Sequence, residues 1–67
     1  MEITYMMDGR IPVRINTDDV ELAKLYLTSG LDLTDMDIVK MFRDAGLTIQ
    51  QAVCVKFEAR RQIAEEI

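Results

Sequence analysis

MEITYMMDGRIPVRIN, residues 1–16, decides whether this chain is all-helical or mixed. Apolar and polar residues alternate on either side of Asp8-Gly9, the pattern of two half-buried strands joined by a tight turn. With Met7-Asp8-Gly9 as a three-residue loop and Gly9 left-handed, Ile3 faces Val13, Tyr5 faces Ile11 and Met1 faces Ile15. One face is then apolar. The other sets Met6 beside Arg10, Thr4 beside Pro12 and Glu2 opposite Arg14, a cross-strand ion pair. A two-residue Asp-Gly loop would throw the two alternations out of phase, so the longer loop is expected. Pro12 removes a ladder donor and suits an edge. Residues 2 to about 15 therefore read as a β-hairpin.

Beyond the hairpin the period changes to that of helices. Asn16-Thr17-Asp18-Asp19 is a helix start, with Asn16 or Thr17 as the cap, and this helix runs over residues 17 to about 28. Its apolar residues, Val20, Leu22, Ala23, Leu25, Tyr26 and Leu27, cover more than one stripe, so it lies centrally or at an interface between subunits. Gly30-Leu31 ends it in the manner of a Schellman motif. Asp32 or Thr34 caps a second helix over residues 34 to about 44, with Ile38, Val39, Met41 and Phe42 inward and Asp35, Asp37, Lys40, Arg43 and Asp44 toward water. Gly46-Leu47 repeats the stop, and Thr48 with Gln51 has the form of a capping box. The third helix covers residues 48 to about 65, with Ile49, Ala52, Val53, Val55, Phe57, Ala59, Ile63 and Ala64 as its apolar candidates for burial and Arg61 with Glu65 as an i,i+4 pair. The expected fold is α+β, an N-terminal hairpin packed on three helices, with residues 1–67 forming one small domain.

A chain of 67 residues buries only about 60% of the surface its unfolded form exposes, so its stability is marginal without assistance. The single cysteine, Cys54, allows no intramolecular disulfide, and with no histidine a zinc cage is not expected. Oligomerisation remains as an aid, and a hydrophobic content of 49% favours a homodimer, through the first or the third helix, or a tightly bound partner. A net charge of −4 opposes non-specific attachment to nucleic acid or to an anionic membrane. No apolar run approaches the ~20 residues of a membrane span and no basic-then-apolar leader is seen, so the expectations are no membrane and a cytoplasmic location.

Chemistry-bearing patterns are few. General acid–base work near neutral pH recruits histidine or a carboxylate pair held in a pocket; histidine is absent here and the acids gather at helix starts. The expected function is therefore non-catalytic, without metal or cofactor. Cys54, between Val53 and Val55, reads as a half-buried core residue. Asp18, Asp19, Glu21, Asp32, Asp35 and Asp37 would present one acidic surface if the two helix starts lie together, and Met6 and Met7 at the end of the hairpin are candidates for an exposed, adaptable contact. Together they suggest a small acidic regulator, inhibitor or adaptor that acts by binding a partner protein. Arg10, Arg14, Lys56, Arg60 and Arg61 read as solvated charges paired with acids such as Glu2, Glu58 and Glu65.

DAGLTIQQAV, residues 44–53, has the form of a helix-turn-helix corner, but no Arg or Lys precedes Lys56 on its second helix, and each conspicuous residue has a duty in stopping or starting a helix. The run RIPVRINTDDVELAKLYLTSGLDLTDMDIVKMF, from Arg10, is similar in order to the ribbon-helix-helix proteins: a strand, a capped helix, a Gly-centred turn and a second helix starting at Thr34-Asp35. That resemblance implies a dimeric DNA-binding transcriptional regulator in which paired strands enter the major groove, Arg10 and Arg14 read bases, and Thr34 helps the second helix dock on phosphate.

Overall fold

The structure, a computed structural model, describes residues 1–66. It is α+β: strands β1 (Glu2–Met7) and β2 (Ile11–Asn16) form an antiparallel hairpin, followed by helices α1 (Thr17–Thr28), α2 (Asp35–Asp44) and α3 (Ile49–Glu65). The apolar face of the hairpin is the expected one, but the register is shifted by two residues: Ile3 pairs with Ile15, Tyr5 with Val13 and Met7 with Ile11. The loop is three residues long, as expected, but consists of Asp8, Gly9 and Arg10 instead of Met7 to Gly9. Its cause lies in the turn. Asp8 and Gly9 both take positive φ, 55° and 74°, the signs required at the two centre positions of a type I′ turn, and Arg10 N–H donates to the Met7 carbonyl across them. Moving the pairing by two preserves every residue's face, because side chains alternate with a period of two. Thr4 therefore stands opposite Arg14 and Met6 opposite Pro12, and the Arg14–Glu2 ion pair is a diagonal one at 3.7 Å.

The β2 strand passes into α1 without a loop. Asn16 closes the strand at φ −95°, ψ 133°, and its side-chain oxygen accepts from Asp18 N–H at 2.8 Å, so one residue ends the strand and caps the helix. Helices α2 and α3 each open with a complete capping box. Thr34 and Thr48 accept from the N–H of Asp37 and Gln51, whose side chains accept in return from the Thr backbone. Asp37 does the work usually given to Glu or Gln.

Helix α3 is the axis of the molecule. Gln51 near its start meets the Arg14 carbonyl in β2 (3.2 Å), Arg60 in its second half meets Asp35 at the start of α2 (2.7 Å), and Glu66 just past its end meets Lys24 of α1 (2.6 Å). Hence α1 runs beside α3 in the same sense and α2 runs back against it. The core gathers around Val13, Ile15, Val20, Ala23, Ile38, Val39, Phe42, Ala52, Cys54, Val55 and Ala59. Cys54 is fully enclosed, not half-buried, and Val53 and Ile63 are partly covered. Ile49, Phe57 and Ala64, counted from the sequence as burial candidates, face outward. Ala52, Val55 and Ala59 recur at three- and four-residue spacing and claim the buried stripe, while Ile49 and Phe57 face outward and Val53, between them on the helix, packs only at the margin of the core.

Gln51 does two things with one amide: its Oε1 accepts from Thr48 N–H at 3.1 Å and its Nε2 donates to the Arg14 carbonyl at 3.2 Å. Gln51→Glu keeps the capping box but replaces the donor with a carboxylate oxygen facing a carbonyl. We expect it to lower stability by about 1 kcal/mol in urea titration at neutral pH. Acidification that protonates the introduced carboxyl recovers part of that loss.

Candidate protein-binding surface

Two corners of the molecule begin alike and are built differently. After α2, Gly46 takes φ +106°, its N–H donates to the Arg43 carbonyl at 3.0 Å, and Leu47 N–H reaches back to the Phe42 carbonyl at 3.1 Å, which completes a Schellman motif. Leu47 folds against the core and immediately precedes the Thr48 cap. After α1, Gly30 also takes positive φ, 79°, but Leu31 does not fold back; it stands 65% exposed. The hydroxyls of Thr28 and Ser29 close α1 instead, accepting no help from Leu31: they donate to the Lys24 and Tyr26 carbonyls, each at 2.8 Å. Leu33, directly before the Thr34 cap, packs on the core in the place that Leu47 fills at the other corner. Leu31 and Asp32 are thus two residues that the second corner lacks, and Asp32 adopts a left-handed φ of 60°, a conformation that aspartate tolerates better than most side chains.

Leu31 has company. Apart from Met1, the three most exposed large apolar side chains among the described residues are Leu25 (62%), Leu31 and Met36 (68%), all between the last turns of α1 and the first turn of α2. Leu22 lies one turn before Leu25 on the same outward face of α1, with Asp18 and Glu21 beside it. Met36 shares the outward face of α2 with Lys40 and Arg43. Among the described residues no pocket opens into the fold.

The residues singled out in the sequence fall into separate settings. Asp18 and Asp19 start α1 at the Gln51 end of α3, whereas Asp35 and Asp37 start α2 near Arg60, nine residues or about 13 Å along that helix. The two helix starts therefore do not merge into one acidic surface. Asp35 is held by Arg60 and lies 4.0 Å from Lys56, whose ammonium also sits 3.6 Å from the Phe57 ring centre. Asp37 is committed to its capping box, and the Thr34 backbone N–H that it accepts holds its carboxyl below the usual aspartate value. Asp32 is exposed at the corner. Met6 projects from the outer face of the hairpin, 49% exposed, but Met7 turns to the inner face and packs against the core. Arg10 falls in the loop, Arg14 stands on the outer face beside Glu2, and Thr34 uses its hydroxyl as a helix cap. Neither the outward Leu31 nor the tie from Asp35 to α3 could be found from local pattern: the first needs the corner geometry, the second a contact across 25 residues of chain.

One charged residue is buried among those described, Glu58 on α3. Its carboxylate accepts from Arg61 Nε at 2.9 Å and from Gln62 Nε2 at 2.7 Å, and Arg61 also binds Glu65 at 2.6 Å. The Arg61 bonds outweigh desolvation and hold Glu58 below its ordinary value of 4.5. Burial, helped by the charge of Asp8, pushes the Cys54 thiol up, so it stays protonated and a poor nucleophile at neutral pH.

No family model, curated protein or solved structure matches the chain.

A carboxyl with a depressed folded-state pKa contributes stability above its unfolded value and loses it as pH falls through the folded one. The contribution of Glu58 is therefore full at neutral pH and disappears on acidification below 4.5. Glu58→Gln should be less stable than wild type at neutral pH, with the difference shrinking toward low pH, as read from thermal unfolding at a series of pH values.

Proposed function

We propose that this protein is a non-catalytic binding module that engages a partner protein through the α1–α2 corner, and so regulates, inhibits or adapts that partner. The observation that carries this reading is the concentration of its most exposed internal apolar side chains, Leu25, Leu31 and Met36, on one short segment around a loop. Leu31 matters most. Its sister position, Leu47, both closes a helix end and packs on the core; at this corner the Thr28 and Ser29 hydroxyls close α1 and Leu33 packs on the core, so nothing in the fold calls for a leucine at 31. Exposed apolar residues that the fold does not use, set beside a carboxylate such as Asp32, suit a partner surface with an apolar cleft and a basic rim. Met36 adds a flexible, polarizable side chain able to adjust to that cleft.

Regulation by binding also agrees with the tied-down charges. The acids in the first turn of α2, Asp35 and Asp37, are spent on Arg60, Lys56 and the capping box, which leaves Asp32 as the carboxylate of the corner and makes apolar contact the main source of affinity. The ribbon-helix-helix reading gains no support from this arrangement. One edge of β2 is paired with β1, while its other edge carries Pro12 and the Gln51 bond, and Arg10 is not on the strand.

Leu31→Ser combined with Met36→Ser is expected to change unfolding free energy by no more than about 0.5 kcal/mol, since both side chains are exposed. The same double variant, used as bait in a native lysate beside the wild type, should lose the proteins that the wild type retains. Equal recovery of those proteins by both baits would refute the assignment of this corner.

A further inference from the structure

We propose that the open edge of β1 pairs with the β1 of a second copy of this chain, antiparallel and centred on Thr4, to make a continuous four-stranded sheet. The two edges of the hairpin are treated differently. Thr17 N–H donates to the Met1 carbonyl at 2.7 Å, which fixes the odd-numbered residues as the hydrogen-bonded positions between the strands and turns the even-numbered backbone groups outward. On β2 those outward groups are guarded: Pro12 has no N–H, and the Arg14 carbonyl is taken by Gln51. On β1 the outward groups belong to Glu2, Thr4 and Met6, and the strand carries no lysine, no proline and no bulge to discourage pairing. The Met6 carbonyl bends to accept from Gly9 at 3.3 Å; the other outward groups of β1 remain for a neighbour.

A second β1 matches that row. With Thr4 facing Thr4 of the other copy, the two threonines exchange both backbone hydrogen bonds, and each Met6 N–H donates to the Glu2 carbonyl opposite. Glu2 then faces Met6, not the other Glu2, so like charges do not meet. On the inner face Ile3 of one copy lies beside Tyr5 of the other. That placement answers a deficit in the single chain: in the two pairs nearer the helices Val13 and Ile15 of β2 are 6% and 2% exposed, but their partners Tyr5 and Ile3 of β1 are only half-buried, while at the turn end Ile11 is itself 45% exposed. A second copy would cover this thin side with apolar groups and satisfy the edge backbone together.

Thr4 is exposed and on the outer face, so its side chain can be changed without touching the core. Thr4→Lys and Thr4→Glu each place like charges at the two-fold position, and each should weaken self-association by about tenfold or more in sedimentation equilibrium. Mixing the two variants should restore dimer, now as a one-to-one pair, because the charges are then opposite. Circular dichroism identical to wild type establishes that the variants are folded. A wild-type protein that stays monomeric at millimolar concentration overturns the proposal. So does self-association that both variants leave unchanged, or a mixture that associates no better than its parts.

Discussion

The side-chain amide of Gln51 joins the start of α3 to the strand whose apolar face packs in the same core. Its oxygen completes the cap that starts α3, and its nitrogen holds the carbonyl of Arg14 in the strand that leads into α1. Because α3 is the element against which the hairpin and both other helices pack, the position of that one amide sets how the sheet lies along the helix. Val13 and Ile15 of the sheet share one buried core with Ala52, Cys54 and Val55 of that helix. The small side chains along that stripe of α3, Ala52, Cys54 and Ala59, permit the close approach. The same geometry consumes an outward carbonyl of β2 and leaves β1 as the strand with an unguarded edge.

The polar ties from α3 to the helices lie at its other end. Lys24 reaches Glu66, and Asp35 accepts from Arg60. These are exposed or half-exposed pairs, and each contributes little stability in water. Their value lies in direction: they fix α1 and α2 in opposite senses beside α3, which sets the corner between them at the end remote from the Gln51 cap. The burial of Ile38, Val20 and Val55 supplies most of the driving force.

Much of this was legible in the sequence because it is local. The capping box of Thr48 with Gln51 follows from residue types three positions apart, and the two faces of the hairpin from an alternation of period two; at α2 the sequence left the cap between Asp32 and Thr34, because an aspartate at the fourth position reads as a solvated charge until its carboxylate is seen to reach back to Thr34. The register was not, because a shift of two leaves that alternation intact and the turn geometry of Asp8 and Gly9 decides it. On α3 the apolar residues outnumber what one stripe can bury, so Ile49 and Phe57 could be assigned outward only once the neighbours of the helix were in place. Glu58 shows the converse: a glutamate on an acidic chain looks solvated until Arg61 and Gln62 close over it. The acidic helix starts were visible as a set, but their separation along α3 depends on the opposed senses of α1 and α2. At the candidate surface Asp32 was visible as a residue, whereas the outward turn of Leu31 was hidden by its likeness to Leu47.

Asn16 ends a strand with its backbone and starts a helix with its side chain, and no residue lies between the two elements to absorb a change in their angle. The angle between the hairpin and α1 therefore rests on one residue, and two positions before it the Arg14 carbonyl is tied to the first turn of α3 by Gln51.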